Sequence, residues 1–183
     1  MIDLGTKRLE TERLILRKIK LSDYKKAYKN WCSEKEVPKH LPWEVHESEE
    51  VTKKLYDAWV KEYEQPYKFR WIVIEKESDE PIGTIDVVNF KDCDSRAEIG
   101  YCYGTKWWGK GYATEALKAV LNYLMNEVKI EMITCGYSVT NPASGKVMEK
   151  AGMKYAFTMP KWIINKEGKR EDLKYYVMYN NEQ

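Results

Sequence analysis

Ala113, Ala116, Leu117, Val120, Leu121 and Leu124 recur at spacings of three, one, three, one and three. That rhythm lays all six along one stripe of an α-helix, a stripe that has to be buried. Just before it, Ala97, Ile99, Tyr101 and Tyr103 alternate with Glu98, Gly100 and Cys102, the period of a β-strand. The two are joined by the glycine turn Trp108-Gly109-Lys110-Gly111-Tyr112. A strand that passes through a tight turn into a strongly amphipathic helix is the start of an α/β (α+β) layer structure, with helices packed on a sheet.

The rest of the chain supplies the other layers. Leu14 to Ile19 reads as a first strand. Ser22 is placed to cap a helix through Tyr24, Ala27, Tyr28 and Trp31. Ser48 is placed to cap a second, to about Glu64, with Val51, Leu55, Ala58 and Trp59 on one face. Trp31, Trp59 and Tyr63 fall on these helices and read as core. Residues 33–47, with Pro38 and Pro42, read as a loop. Strands 71–75 and 82–88 form a hairpin around Ser78-Asp79-Glu80-Pro81. After the long helix come a strand at 132–138, a short helix opened by Asn141-Pro142 and closed by Gly152, and two strands at 153–164 and 172–179. The order is strand, two helices, three strands, helix, strand, helix, two strands. A mixed sheet with helices on both faces accommodates it. No composition break divides the 183 residues, so a single domain, 1–183, is expected.

Composition narrows the function classes. Thirty-one basic against 29 acidic residues leave a net charge of +2, which argues against a protein held directly to nucleic acid by bulk charge. The N-terminus carries charge early and shows no apolar leader, and the longest apolar pattern is broken by Glu115, Lys118 and Asn122. A cytoplasmic protein with no membrane association is the expectation. The four cysteines (32, 93, 102, 135) form no C-x-x-C pair, and only Cys32 lies near the two histidines, His40 and His46. No zinc set is visible, and no metal is expected.

The glycine turn carries the chemistry. Glycines at 109 and 111 allow close backbone approach and positive φ. The first turn of the following helix adds N–H groups with no internal partner. Together they suit a pyrophosphate, with Lys110 as a further charge. A bare G-x-G can equally be only a tight turn, and neither G-x-G-x-x-G nor G-x-x-x-x-G-K-[ST] is present. A second constellation follows the next strand: Asn141-Pro142-Ala143-Ser144, with Gly152-Met153 eleven residues after Asn141. Each member has a plain helix-capping explanation. Such explanations do not account for both constellations occurring in this order and at this separation.

The runs Ala-Glu-Ile-Gly-Tyr at 97–101 and Trp-Trp-Gly-Lys-Gly-Tyr-Ala-Thr-Glu-Ala at 107–116 resemble the GNAT superfamily, and within it the RimJ/RimL type of N-terminal acetyltransferase. Asn141-x-x-Ser144 with Glu149-Lys150-Ala151-Gly152-Met153 is similar to the family's second segment. Leu9 to Arg17 and Gly83-Thr84-Ile85 are similar to that branch as well. One departure stands out: Trp108 occupies the family's Arg/Gln position, which shifts phosphate binding onto backbone donors.

The resemblance implies a GNAT fold: a central mixed, mostly antiparallel sheet splayed between the fourth and fifth strands, 97–103 and 132–138. It implies transfer of an acetyl group from acetyl-CoA to a primary amine, such as a protein or peptide N-terminal α-amine. A small amine (polyamine, aminoglycoside, amino acid) and a catalytically weak acyl-CoA-binding module are the alternatives. By the same resemblance, coenzyme A is held by Trp108, Gly109, Lys110, Gly111, Tyr112, Ala113 and Thr114 at the pyrophosphate. Cys102 and Tyr103 serve as backbone partners of the pantetheine, and Asn141 bonds it. Ser144 protonates the leaving thiolate, because the tyrosine that many relatives use one turn on is Met148 here. Glu98 is the candidate general base, against the reading of a solvated strand-face glutamate. His40 and Trp43 are placed on the acceptor wall. Partners are the coenzyme and the amine, and a homodimer is admitted.

Overall fold

The computed structural model describes residues 5–180. Its strands are β1 (Leu9–Glu10), β2 (Leu14–Arg17), β3 (Arg70–Glu75), β4 (Glu80–Lys91), β5 (Arg96–Tyr103), β6 (Met132–Ser138), β7 (Lys154–Ile164) and β8 (Arg170–Tyr179). Its α-helices are α1 (Tyr24–Ala27), α2 (Glu49–Glu62), α3 (Tyr112–Asn126) and α4 (Pro142–Lys150). The strands hydrogen-bond in the order β1-β2-β3-β4-β5-β6-β8-β7. Pairing is parallel between β5 and β6, and antiparallel for β1–β2, β2–β3, β3–β4, β6–β8 and β7–β8. The sheet is therefore mixed. The chain divides into two compact units: one runs to Asp86 and takes up Tyr101–Tyr112, and the other holds Val87–Gly100 and continues from Ala113.

In the first unit, Ile19, Ala27, Trp31, Cys32, Val37, Tyr56, Ile72 and Ile74 form a buried cluster. Trp43, Trp59, Tyr63 and Cys102 pack against it, half-buried. The first helix differs from expectation. A 3-10 turn (Leu21–Asp23) leads into one turn of α1, which widens into a π-turn over Tyr28–Cys32. Asp23, not Ser22, closes its start. Its carboxylate accepts the Lys20 N–H at 2.8 Å and a bidentate pair from Arg17, both bonds 2.8 Å. The bond to Lys20 is the return half of a capping box and leaves the exposed Ser22 hydroxyl out of the cap. Helix α2 is rotated from the predicted face: Thr52 and Tyr56 are buried, while Val51 is exposed. Thr52 tolerates burial because its hydroxyl meets His46 Nδ1 at 2.8 Å. Strand β1, two residues long, is too short to show a period and was not expected from the sequence.

In the second unit the helical stripe holds: Ala116, Leu117, Val120, Leu121 and Leu124 are all buried. Helix α4 packs on β6, β7 and β8. Its Gly145 admits the Tyr137 ring, which an added Cβ would meet at 2.6 Å. The β5–β6 register runs Arg96↔Met132, Ala97↔Ile133, Glu98↔Thr134 and ends there, although β5 continues to Tyr103 and β6 to Ser138.

Candidate active site

The glycine turn belongs to the first unit and is built by side chains far from it in sequence. Gly109 and Gly111 both take positive φ, +74° and +83°, a backbone that a side chain with a Cβ resists. Arg13 reaches across from the start of β2. Its Nη1 donates to the Lys110 carbonyl at 3.0 Å, and its guanidinium lies 4.5 Å from the centre of the Tyr112 ring. Glu75, at the end of β3, accepts the Tyr112 hydroxyl and the Trp107 indole N–H, the latter at 3.2 Å. Burial pushes the Glu75 carboxyl up, but hydrogen bonds from Ser78, Tyr112 and Trp107 hold it below its ordinary value. With Lys110's carbonyl turned onto Arg13, the N–H of the same peptide group, that of Gly111, faces the opposite way. Trp108 (φ −66°, ψ 151°) and Gly109 (φ +74°) form a type II turn that uses the Lys110 N–H, while among the described residues the N–H groups of Gly109 and Gly111 donate to no backbone carbonyl. Lys110 and Trp108 are exposed, and Ala113 and Thr114 lie in the first turn of α3.

The preceding strand corrects one expectation. A Cβ on Gly83 would stand 2.1 Å from the Cys102 carbonyl oxygen, and the Gly104 N–H donates to Ile82 O at 3.0 Å. The even-numbered peptide groups here face β4, so Cys102 does not offer its carbonyl to the free edge. Peptide groups 101 and 103 face the other way. Of these, the Tyr103 carbonyl already accepts the Trp108 indole N–H at 2.7 Å. The Cys102 thiol lies 3.4 Å from Thr84 Oγ1. His40 closes a short 3-10 turn, Val37–His40, inside the predicted loop. Trp43 rests on the buried cluster with its ring 5.6 Å from that of His46, whose imidazole burial pushes down.

In the second unit Glu98 stands at the last β5–β6 pair. It is half-buried rather than solvated, with Tyr175 beside it. Burial raises its carboxyl, against opposing effects of Tyr175 and Arg96. One residue further, the Cys135 thiol donates to Ile99 O at 3.0 Å. Asn141 occupies the N-cap position of α4, with Pro142 following, yet its side chain makes no cap bond. Ser144 donates its N–H to Asn141 O at 3.1 Å. Met148 is fully buried.

Sequence reasoning missed Arg13, Glu75 and Tyr175. Arg13 lay within a run already similar to the family, but no spacing rule links it to position 110. All four cysteines are free: Cys32 and Cys135 are buried, Cys102 is half-buried and Cys93 is exposed. Among the described residues no group of three or more His, Cys, Asp or Glu is placed to hold a metal ion, and no helix is long and apolar enough to cross a membrane.

Known proteins are similar to this chain in sequence and in fold. The family model "Acetyltransferase (GNAT) domain" matches residues 13–154. An uncharacterized N-acetyltransferase, p20, of Bacillus licheniformis is 32% identical over 140 residues, 76% of this chain and 78% of that protein. The [ribosomal protein uS5]-alanine N-acetyltransferase of Escherichia coli is 37% identical over 54 residues, 30% of this chain and 28% of its own. A crystal structure of a GNAT-family acetyltransferase from Bacillus anthracis superposes with a TM-score of 0.83 at 28% identity, covering 96% of this chain and all of that one. The match spans both the glycine turn and the α4 entry, and the chain belongs to the GNAT family of acetyl-CoA-dependent N-acetyltransferases.

Proposed function

We propose that residues 1–183 act as one catalytic domain that acetylates a primary α-amine at the N-terminus of a protein or peptide. The carrying observation is the glycine turn: the N–H groups of Gly109 and Gly111, which donate to no backbone carbonyl and are braced by Arg13 and Glu75, suit a pyrophosphate. The family relationship makes that pyrophosphate coenzyme A's. Tyr112, Ala113 and Thr114 add the start of α3, and the Lys110 ammonium adds charge. Trp108 closes the turn onto Tyr103.

Acetyl-CoA supplies an activated thioester. The residues then have three tasks. Tyr101 and Tyr103, in place of Cys102, direct their peptide groups away from β4, and a peptide N–H there polarises the carbonyl as charge develops. Asn141, whose carboxamide is not spent on a helix cap, hydrogen-bonds the pantetheine. Ser144 gives a proton to the departing sulfur. Glu98, with its carboxyl raised by burial, takes the proton of the amine. An α-amine, with a pKa of about 7.7–8.0 against about 10.4 for lysine, needs the least help. The relative that acetylates an alanine of a ribosomal protein favours the same acceptor. His40 and Trp43 serve on the acceptor wall.

The test is a titration of acetyl-CoA, coenzyme A and ATP by calorimetry, followed by thiol release with matched peptides, free or blocked at the N-terminus, and with polyamines. Binding of coenzyme A but not ATP, with turnover only on the free peptide, supports the reading. Coenzyme binding with no turnover on any amine makes the protein an acyl-CoA-binding module. Turnover on polyamines alone removes the peptide acceptor.

A further inference from the structure

The turn that carries Asn141 is held by a carboxylate that lies outside it. Glu171, on β8, accepts the Thr140 hydroxyl at 2.9 Å and the Ser138 hydroxyl on one oxygen, and Asn165 Nδ2 at 2.6 Å on the other. Ser138 ends β6 and is almost wholly buried. Its Oγ accepts the Thr140 N–H at 3.3 Å, and its carbonyl accepts the Asn141 N–H at 2.7 Å. The chain then passes to Ser144, whose N–H donates to Asn141 O. Both side chains on which Asn141's approach depends therefore end on one carboxylate.

The network is more than the local fold requires. The β7–β8 turn closes on its own bonds: Asn165 Oδ1 accepts the N–H groups of Glu167 and Lys169 at 3.0 and 2.9 Å, and Asn165 N–H donates to Lys169 O at 2.8 Å. The β6–β8 ladder is continuous to Ser138↔Leu173 without the Glu171 side chain. A partly buried carboxylate that gathers neutral donors costs desolvation, and its return is a single fixed geometry.

We infer that Glu171 is a positioning residue for the pantetheine-and-thiol end of the site: through Ser138 and Thr140 it sets where Asn141 and Ser144 stand. The inference rests on the proposed roles of those two residues. It separates the site into a nucleotide end, independent of Glu171, and a pantetheine end that depends on it. Glutamine would keep one acceptor oxygen but would have to turn its amide either toward Asn165's amide or toward the two hydroxyls, so it restores the network in part.

The experiment uses two ligands that differ by the arm: coenzyme A, and adenosine 3′-phosphate 5′-diphosphate, which keeps the pyrophosphate and lacks pantetheine. In Glu171→Ala the affinity for coenzyme A falls about tenfold, the size of one lost neutral hydrogen bond. Affinity for the adenosine 3′-phosphate 5′-diphosphate stays within about twofold. Turnover falls by up to about a hundredfold, as misplacement of a reacting group allows. Glu171→Gln lies between. Thr140→Val, at an exposed position, gives the same direction with a smaller size and serves if Glu171→Ala does not fold. Equal losses for both ligands, or no loss for either, overturn the inference while leaving coenzyme binding by the parent intact. A parent that binds neither ligand overturns the proposed function and this inference with it.

Discussion

The glycine turn and the entry to α4 reach similar ends by opposite means. In the turn, backbone conformation does the shaping: Gly109 and Gly111 hold positive φ, and Arg13 and Glu75 only brace the result. At the α4 entry no residue takes positive φ, and a distant carboxylate with two hydroxyls does the shaping. The first kind of site is fragile at single residues of its own segment. The second is fragile at a residue more than twenty-five positions away in the chain.

The sharpest break of that contrast is Gly111→Val. A β-branched residue at φ +83° adds about 1–2 kcal/mol of backbone strain. It also sets a side chain against the Arg13 guanidinium that braces the turn, an added Cβ lying 3.4 Å from Nη2. Coenzyme affinity should weaken by well over tenfold, or more than roughly 1.4 kcal/mol. Calorimetry alongside melting temperature checks it, and unchanged affinity in a folded variant would remove the turn from the site.

Ser144→Ala comes next. A thiol leaving group with a pKa of about 8.5 is fair without help, so turnover should fall by about tenfold or less, with coenzyme affinity nearly unchanged. Steady-state rates decide it, and full activity would leave water as the proton donor.

Asn141→Ala then sharpens the comparison. An asparagine cap replaced by alanine ordinarily costs about 1 kcal/mol of stability. Here no side-chain cap bond exists to lose, so the melting temperature should hold while the coenzyme Kd rises several-fold, by about 1 kcal/mol. A drop in melting temperature with an unchanged Kd would return Asn141 to a plain structural role.

The smallest effect concerns Glu98. Its folded pKa is raised by burial, so the folded state holds its proton to higher pH than the unfolded state does. Stability is then lost as pH rises from the unfolded pKa, near the ordinary value for glutamate, through the raised folded pKa. Glu98→Gln removes that loss. The variant should melt slightly above the parent at neutral pH, with the gap closing as pH falls below about 4. A gap of constant size from pH 3 to 8 would show that burial does not govern Glu98.

The contrast also explains what could be read from the residues alone. The α3 stripe, the β5 alternation and the two glycines are local patterns, and their periods carry their meaning. Arg13 and Tyr175 were invisible as site residues because their roles come from pairing across the sheet, to Lys110 and Glu98. The α2 face was misread because Thr52 looks polar in sequence, and only its bond to His46 makes burial acceptable. The choice of Cys102 as a backbone partner failed on strand phase: a one-residue shift reverses which edge a peptide group faces, and residue types do not encode that phase.

The distribution of thiols affects how the protein can be assayed. Cys32 and Cys135 are buried, with their thiols pushed far up by desolvation, and Cys102 is pushed up to about 11 by the same cause. Such groups are poor nucleophiles under native conditions. Cys93, on the exposed turn between β4 and β5, stands apart. A colorimetric thiol reagent that follows release of coenzyme A should therefore meet one fast protein sulfhydryl per chain, a fixed blank that can be subtracted. The same position offers a single point for attaching a fluorophore on the folded enzyme.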